Sequence, residues 1–224
     1  MKILVILLLA MGIVACNKKR NVDMSSDKAK YSYAIGQQIG KNMKNQNIDM
    51  DIDAFALAIE HQLKGEKPLL NEEEVKKALS KMAEDRNKQR REEAEGNKKE
   101  GEDFLAKNKS KNGVKTSDSG LQYEVITEGK GKKPKSDDVV KVHYKGTLID
   151  GTEFDSSYKR NSPAEFPVTA VIRGWTEALQ MMPVGSKWKL YIPPDLAYGE
   201  AGRPSIPGNS VLIFEVELLD IIKK

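Results

Sequence analysis

The side chains that most often carry covalent or acid–base chemistry are scarce in this chain of 224 residues and poorly spaced for it. Cys16 is the only cysteine, and His143 is the only histidine of the C-terminal half. His143 falls on the polar side of an alternating segment with no cysteine near it, which leaves neither a metal ligand set nor a Cys-His nucleophile. Ser156 and Ser157 follow Asp155, but no base is positioned to activate either hydroxyl. Gly129-Lys130-Gly131 lacks the remainder of a dinucleotide fingerprint and the Lys-Ser/Thr pair of a phosphate loop. Asp49, Asp51, Asp53 and Glu60 match the first, third, fifth and last ligand positions of a calcium loop, yet Ala54 stands where its sharp turn needs Gly. An N-terminal helix cap accounts for that cluster better. No metal and no cofactor is expected. What remains is an aromatic set with a few polar groups, most of it after residue 120.

The segment that must hold this set has a hydrophobic period of two. Leu121, Tyr123 and Val125 alternate with polar residues, as do Val140, Val142 and Tyr144 with Lys141, His143 and Lys145. Asp150-Gly151 supplies a turn, and further strands fit Ser186 to Ile192 and Ser210 to Leu219, the latter turning Leu212, Phe214, Val216 and Leu218 to one side. Arg173 to Met182 is the one plausible helix here, closed by Pro183 and Gly185. One short helix against an antiparallel sheet predicts an α+β domain over residues 115–224.

Upstream the period is helical. A first helix starts near Ser26 or Asp27 and carries Tyr31, Ile35, Ile39 and Met43 on one face, with Gly36 and Gly40 beside the stripe. A second spans Ile52 to Lys64, with Ile52, Phe55, Ala56, Ile59 and Leu63 on one face and Gly65 at its end. A third begins at Asn71 and Glu74 in capping-box spacing, and Val75, Leu79 and Met82 continue the apolar stripe. Helices this short bury little alone, so residues 27–83 are expected to form an all-α dimerisation domain closed by a second copy of the chain. Beyond Ala83 apolar residues nearly vanish, and residues 84–114 are expected to be a long, charged, solvent-bridging helix or linker that frays at Gly96 and Gly101 and ends by Asn112-Gly113. The 37 basic and 33 acidic residues are interspersed, without a basic face or aromatic interleaving, so nucleic acid is not an expected partner.

The ends suggest export. Lys2, the apolar run Ile3 to Met11 and the small residues after it read as a signal peptide over residues 1–15, too short for a comfortable membrane span. Ile13-Val14-Ala15-Cys16 resembles a bacterial lipobox, with Ile13 where Leu is usual, and implies lipidation of Cys16 followed by a polar tether to residue 26. The resulting expectation is a cell-envelope protein, lipid-anchored, in the outer membrane facing the periplasm or the cell surface.

Four segments then carry a family resemblance. Val142-His143-Tyr144-Lys145-Gly146, Gly151-Thr152-Glu153-Phe154-Asp155-Ser156-Ser157, Val171-Ile172-Arg173-Gly174-Trp175 and Leu196-Ala197-Tyr198-Gly199 resemble, in order, the signature segments of FKBP-type peptidyl-prolyl cis/trans isomerases. Leu212 to Leu219 is similar to the last strand of that family, and Tyr31 to Gly36 resembles the N-terminal dimerisation domain of its Mip-like and FkpA-like bacterial lipoprotein branch. The resemblance implies a pocket floored by Trp175 and walled by Tyr144, Phe154, Val171, Ile172, Tyr198 and Phe214, with Asp155 at its edge and Arg160, Phe166 and Ile206 nearby. The Ile172 amide and the Tyr198 hydroxyl would bond the substrate carbonyls, while Tyr144 and Asp155 would orient and polarise. Ala164 stands where the family often has an aromatic, and Arg203 and Glu200 on the following flap would influence the residue preferred before proline. The implied partners are proline-containing unfolded or exported proteins, with macrolides as inhibitors. The competing reading is a dimeric holdase-type chaperone or surface adhesin in which isomerase activity is incidental.

Overall fold

The computed structural model describes residues 22–46 and 48–222. The leader and the expected lipidation at Cys16 lie outside the described residues. The chain divides into two units, Met1–Asp49 and Met50–Lys224.

In the first unit α1 spans Asp27–Asn45, and the Ser26 hydroxyl caps it by accepting from the Ala29 N–H at 3.2 Å. The stripe read from the sequence is there and its first half is uncovered: Tyr31 and Ile35 are both more than half exposed, whereas Ile39 and Met43 are half-buried.

The second unit opens with α2 (Ile52–Lys64), capped by Asp51, whose carboxylate accepts from the Asp53 and Ala54 N–H groups at 2.9 and 3.0 Å. Gly65 ends it in the left-handed region at φ 68°. α3 (Glu72–Asn108) starts with a complete capping box, Glu74 N–H to Asn71 and Asn71 N–H to the Glu74 carboxylate. Ile59, Leu63, Leu70, Val75 and Leu79 remain exposed.

The expected long charged helix is present as one helix of 37 residues, and most of residues 84–93 are exposed. It departs from expectation in its second half, which does not fray at Gly96 or Gly101 and buries Ala94, Gly101 and Asn108. Those residues repeat every seventh position, two turns apart, and so share a face. Gly101 is the reason the helix can lie down: a Cβ there would sit 2.8 Å from Val211 Cγ2. Asn108 Nδ2 donates to Gln122 Oε1 at 3.0 Å, Gln122 Nε2 donates to the Leu105 carbonyl at 2.9 Å, and Phe104 packs on Tyr191. Apart from Phe104 and Leu105 near its end, the contact face is small and polar, so it leaves no long apolar stripe to read.

The rest is an antiparallel sheet ordered β1-β2-β6-β7-β3-β4, with β5 also paired to β3. Its strands are β1 (Val114–Thr116), β2 (Gln122–Thr127), β3 (Val139–Thr147), β4 (Glu153–Ser156), β5 (Ala164–Pro167), β6 (Lys187–Ile192) and β7 (Leu212–Ile222). β4 and β5 share one edge of β3, β4 along its C-terminal half and β5 along its N-terminal half. Alternate residues of β7 are buried from Leu212 to Leu218, as period two requires. α4 (Arg173–Met181) buries Trp175, Ala178 and Leu179 in the same core as Val140, Val142, Leu190, Ile192, Val216 and Leu218. This is the expected α+β domain, preceded by helices.

Candidate functional site

Side chains from three strands meet at Trp175. Its indole is 3% exposed, held on the first turn of α4 by the Trp175 N–H donating to the Ile172 carbonyl at 2.9 Å. Tyr144 from β3 and Phe214 from β7 meet it edge to face, each at 5.2 Å between centroids, and Phe166 from β5 does so at 6.0 Å. Phe154 from β4 closes the wall against Phe214 at 5.4 Å, again edge to face. Such geometry sets the positive ring edges on the negative ring faces, so the wall is rigid as well as apolar. Val171, Ile172 and Tyr198 are half-buried against this cluster, and Ile206 is buried in it. The Trp175 Nε1 has no hydrogen-bond partner among the described residues, nor has the Ile172 N–H.

The polar side of the site is a closed triangle. The Tyr144 hydroxyl donates to Asp155 Oδ2 at 2.6 Å and accepts from Arg160 Nη2 at 2.7 Å, while Arg160 Nη1 donates to Asp155 Oδ1. The guanidinium also lies 5.5 Å from the centre of the Tyr144 ring. Burial raises the Tyr144 phenol above its ordinary proton affinity, and its hydrogen bond to the carboxylate adds to that. Burial pushes Asp155 up as well, but the hydrogen bonds from Tyr144 and Arg160 and the guanidinium charge outweigh it, leaving the carboxyl below its usual range.

Across from the triangle, Arg203 Nη1 donates to the Tyr198 hydroxyl at 2.9 Å and its guanidinium stands 5.1 Å from the ring centre. That leaves the Tyr198 O–H proton free to donate elsewhere. Arg203 was expected on this flap as a selector; its grip on Tyr198 was not. Ser157 was also missed as a support. Its buried hydroxyl accepts from the Tyr144 N–H at 2.8 Å and donates to the Tyr144 carbonyl at 3.2 Å, which fixes the ring's root. A serine dismissed as a nucleophile has no sequence signal for such a role.

All eleven expected site residues thus lie in or beside one aromatic cluster. An open groove of about 760 Å³ lies elsewhere, lined by Leu70, Val75, Leu79 and Ala83 among others. It is an uncovered helix face rather than a place where polar groups converge.

Comparison with known proteins agrees with this geometry. Residues 130–219 match the family described as FKBP-type peptidyl-prolyl cis-trans isomerase, and residues 28–125 match the domain amino terminal to FKBP-type peptidyl-prolyl isomerase. The chain is 47% identical over 206 residues to the outer membrane protein MIP of Legionella longbeachae, covering 89% of this chain and 88% of that one. It is 46% identical to the FKBP-type 22 kDa peptidyl-prolyl cis-trans isomerase of Escherichia coli, covering 87% and 95%. The crystal structure of FkpA from Escherichia coli superposes with a TM-score of 0.63 at 40% identity, covering 89% of this chain and 98% of that one.

Proposed function

The chain belongs to the FKBP-type peptidyl-prolyl cis-trans isomerase family, and on that premise we propose where and how it turns the X–Pro bond. The proline ring packs on Trp175 between Tyr144, Phe154, Phe166 and Phe214. The Ile172 N–H and the Tyr198 hydroxyl bond the flanking carbonyls, and Val171, Ile206, Asp155 and Arg160 border the peptide.

Rotation is opposed by about 18–20 kcal/mol because amide resonance gives the C–N bond partial double character. A twisted amide has lost that resonance and the charge separation that goes with it. Dry aromatic walls therefore penalise the planar ground state more than the twisted transition state. Each roughly 1.4 kcal/mol of that difference is a factor of ten in rate. The observation that carries this reading is the Trp175 floor, enclosed edge-on by three rings and bordered by the Ile172 N–H, which has no partner among the described residues.

The uncovered faces of α1, α2 and the start of α3 support pairing of two chains through residues 27–83. The leader pattern and the name of the Legionella relative support a lipid-anchored envelope protein attached through Cys16. Its clients are then exported proteins with X–Pro bonds, whose uncatalysed isomerisation takes tens to hundreds of seconds and limits folding.

The test is cis-to-trans isomerisation of a Leu-Pro peptide by the protein, by Trp175→Ala and Tyr198→Ala variants, and with a macrolide competitor. Acceleration that disappears in Trp175→Ala and with the macrolide is the expected result. Unimpaired catalysis by a folded Trp175→Ala protein would remove this site.

A further inference from the structure

We infer that the second half of α3 is a working part of the substrate site: Asn97 on α3 and Asn209 on the flap are positioning residues that hold Tyr198 and Ile206 ready for the prolyl peptide. The inference rests on the pocket reading above.

The flap, residues 199–210, has almost no framework of its own. Its only ladder is the Arg203/Ile206 bridge, which closes a tight turn at the tip. Asn209 N–H donates to the Gly199 carbonyl at 2.8 Å and pinches the base, with Asn209 itself in the left-handed region at φ 55°. These bonds shape the loop but do not attach it. Among the described residues, the flap is tied to the segment just before it by Gly199 N–H to the Pro194 carbonyl at 3.0 Å and by Arg203 to the Tyr198 hydroxyl at 2.9 Å, and the two hydrogen bonds that reach an element distant in sequence both go to α3. Asn97 Nδ2 donates to the Gly208 carbonyl at 3.0 Å, and Asn209 Nδ2 donates to the Ala94 carbonyl at 3.2 Å. Each side-chain amide satisfies a main-chain carbonyl of the other element. Directly below, Val211 is 1% exposed and seats on Gly101, so the reciprocal pair stands on a packed base.

With Ile206 as its one side chain buried in the core, the flap depends on the two α3 amides to keep its base in register with the pocket. Only the fraction of molecules with the flap seated binds substrate well, and the apparent affinity falls as that fraction falls. The helix that leads in from the uncovered N-terminal faces therefore passes, at Ala94 and Asn97, beneath the flap that follows Tyr198. Neither asparagine touches the aromatic cluster, so both act through the flap.

The experiment measures KM, kcat and melting temperature for the full chain carrying Asn97→Ala, Asn209→Gly or both. Glycine at 209 keeps the left-handed backbone and removes only the side chain. Asn108→Ala is the comparator: it breaks the other anchor of α3, on Gln122, away from the flap. The double variant is expected to raise KM about three- to tenfold with kcat within about twofold, each single variant giving most of the effect. Asn108→Ala is expected to lower the melting temperature and leave KM alone. An unchanged KM in the double variant, or an equal rise in Asn108→Ala, overturns the inference. Absence of catalysis in the unmutated protein, or its survival in Trp175→Ala, would instead overturn the pocket reading.

Discussion

Gly146 offers a severe test of whether the aromatic wall is packed as described. It lies in β3, opposite Phe214 on β7 and Asp155 on β4. A Cβ added there would stand 2.6 Å from Phe214 Cε1 and 2.7 Å from Phe154 Cε2 and Cζ, against an ordinary carbon contact of about 3.5–4.0 Å. Both rings must give way by about 1 Å. Phe214 is 6% exposed and backed by Trp175, so it can retreat only into the floor of the site, while half-buried Phe154 is free to swing outward. Overpacking of this kind costs about 1–3 kcal/mol, from which the roughly 0.5–1 kcal/mol gained by replacing a strand glycine is subtracted. Gly146→Ala should therefore lower the melting temperature by a few degrees, at about 2–4 °C per kcal/mol for a chain this size. It should also cut kcat/KM by roughly tenfold, because the displaced rings are the ones proposed to hold the proline. Gly96→Ala is the matched control. It adds the same methyl group on α3 with nothing within 4 Å, and should stabilise the helix by about 1 kcal/mol without affecting catalysis. A Gly146→Ala protein that melts and catalyses like the original would refute the packing on which the whole site is built.

Three further outcomes are expected. Asp155 has a depressed carboxyl, so its stabilising contribution is present above its ordinary value of 3.8 and is lost as pH falls through the lower folded value. Tyr144 has a raised phenol, so its contribution is present below 10.0 and is lost as pH rises through the higher folded value. The profile of kcat/KM should accordingly be flat from about pH 5 to 9, and an inflection near neutrality would contradict the triangle as drawn. Asn71→Ala removes the capping box of α3 and should cost about 0.5–2 kcal/mol, seen as lost helicity in circular dichroism with peptide catalysis retained. Sedimentation should give twice the mass of one chain; a single-chain mass would remove pairing through residues 27–83.

The elements that were legible in the sequence are those whose signal is local. Ser26, Asp51 and the Asn71/Glu74 pair fix three helix starts, because a cap needs only the residues of one turn. β3 and β7 show their alternation because each has one face in the core over many residues. β1, β4 and β5 are three or four residues long and have no room for a period; they are strands because a neighbour supplies the ladder. The docking of α3 was hidden for a different reason. Ala94, Gly101 and Asn108 bury little apolar area, so the helix face that matters most for the flap looks solvated. The site itself was legible only through motif resemblance. Its residues come from separate strands, a helix start and a loop, and no spacing within any one of them announces that Tyr144 and Phe214 will meet over Trp175.

On the proposed reading, the two shifted groups also explain how a site with a carboxylate and a phenol in contact would work without proton transfer. General acid–base catalysis is most effective when a proton affinity lies near the working pH. Here the environment drives the pair the other way, the phenol up by burial and the carboxyl down by its donors. At neutral pH Tyr144 stays protonated and Asp155 stays charged, locked together by Arg160 from the solvent side. The triangle is then a fixed dipole at the border of an apolar wall, not a relay. Rotation about an amide bond asks for no more, since no bond to hydrogen is made or broken. Replacing Asp155 with Asn should therefore weaken the orientation of Tyr144 and lower kcat/KM by about tenfold or less, the scale of one charge-assisted hydrogen bond that is partly exposed. It should do so without a new pH dependence or a solvent isotope effect. A loss of several orders of magnitude, or an isotope effect on kcat, would show that a proton moves after all.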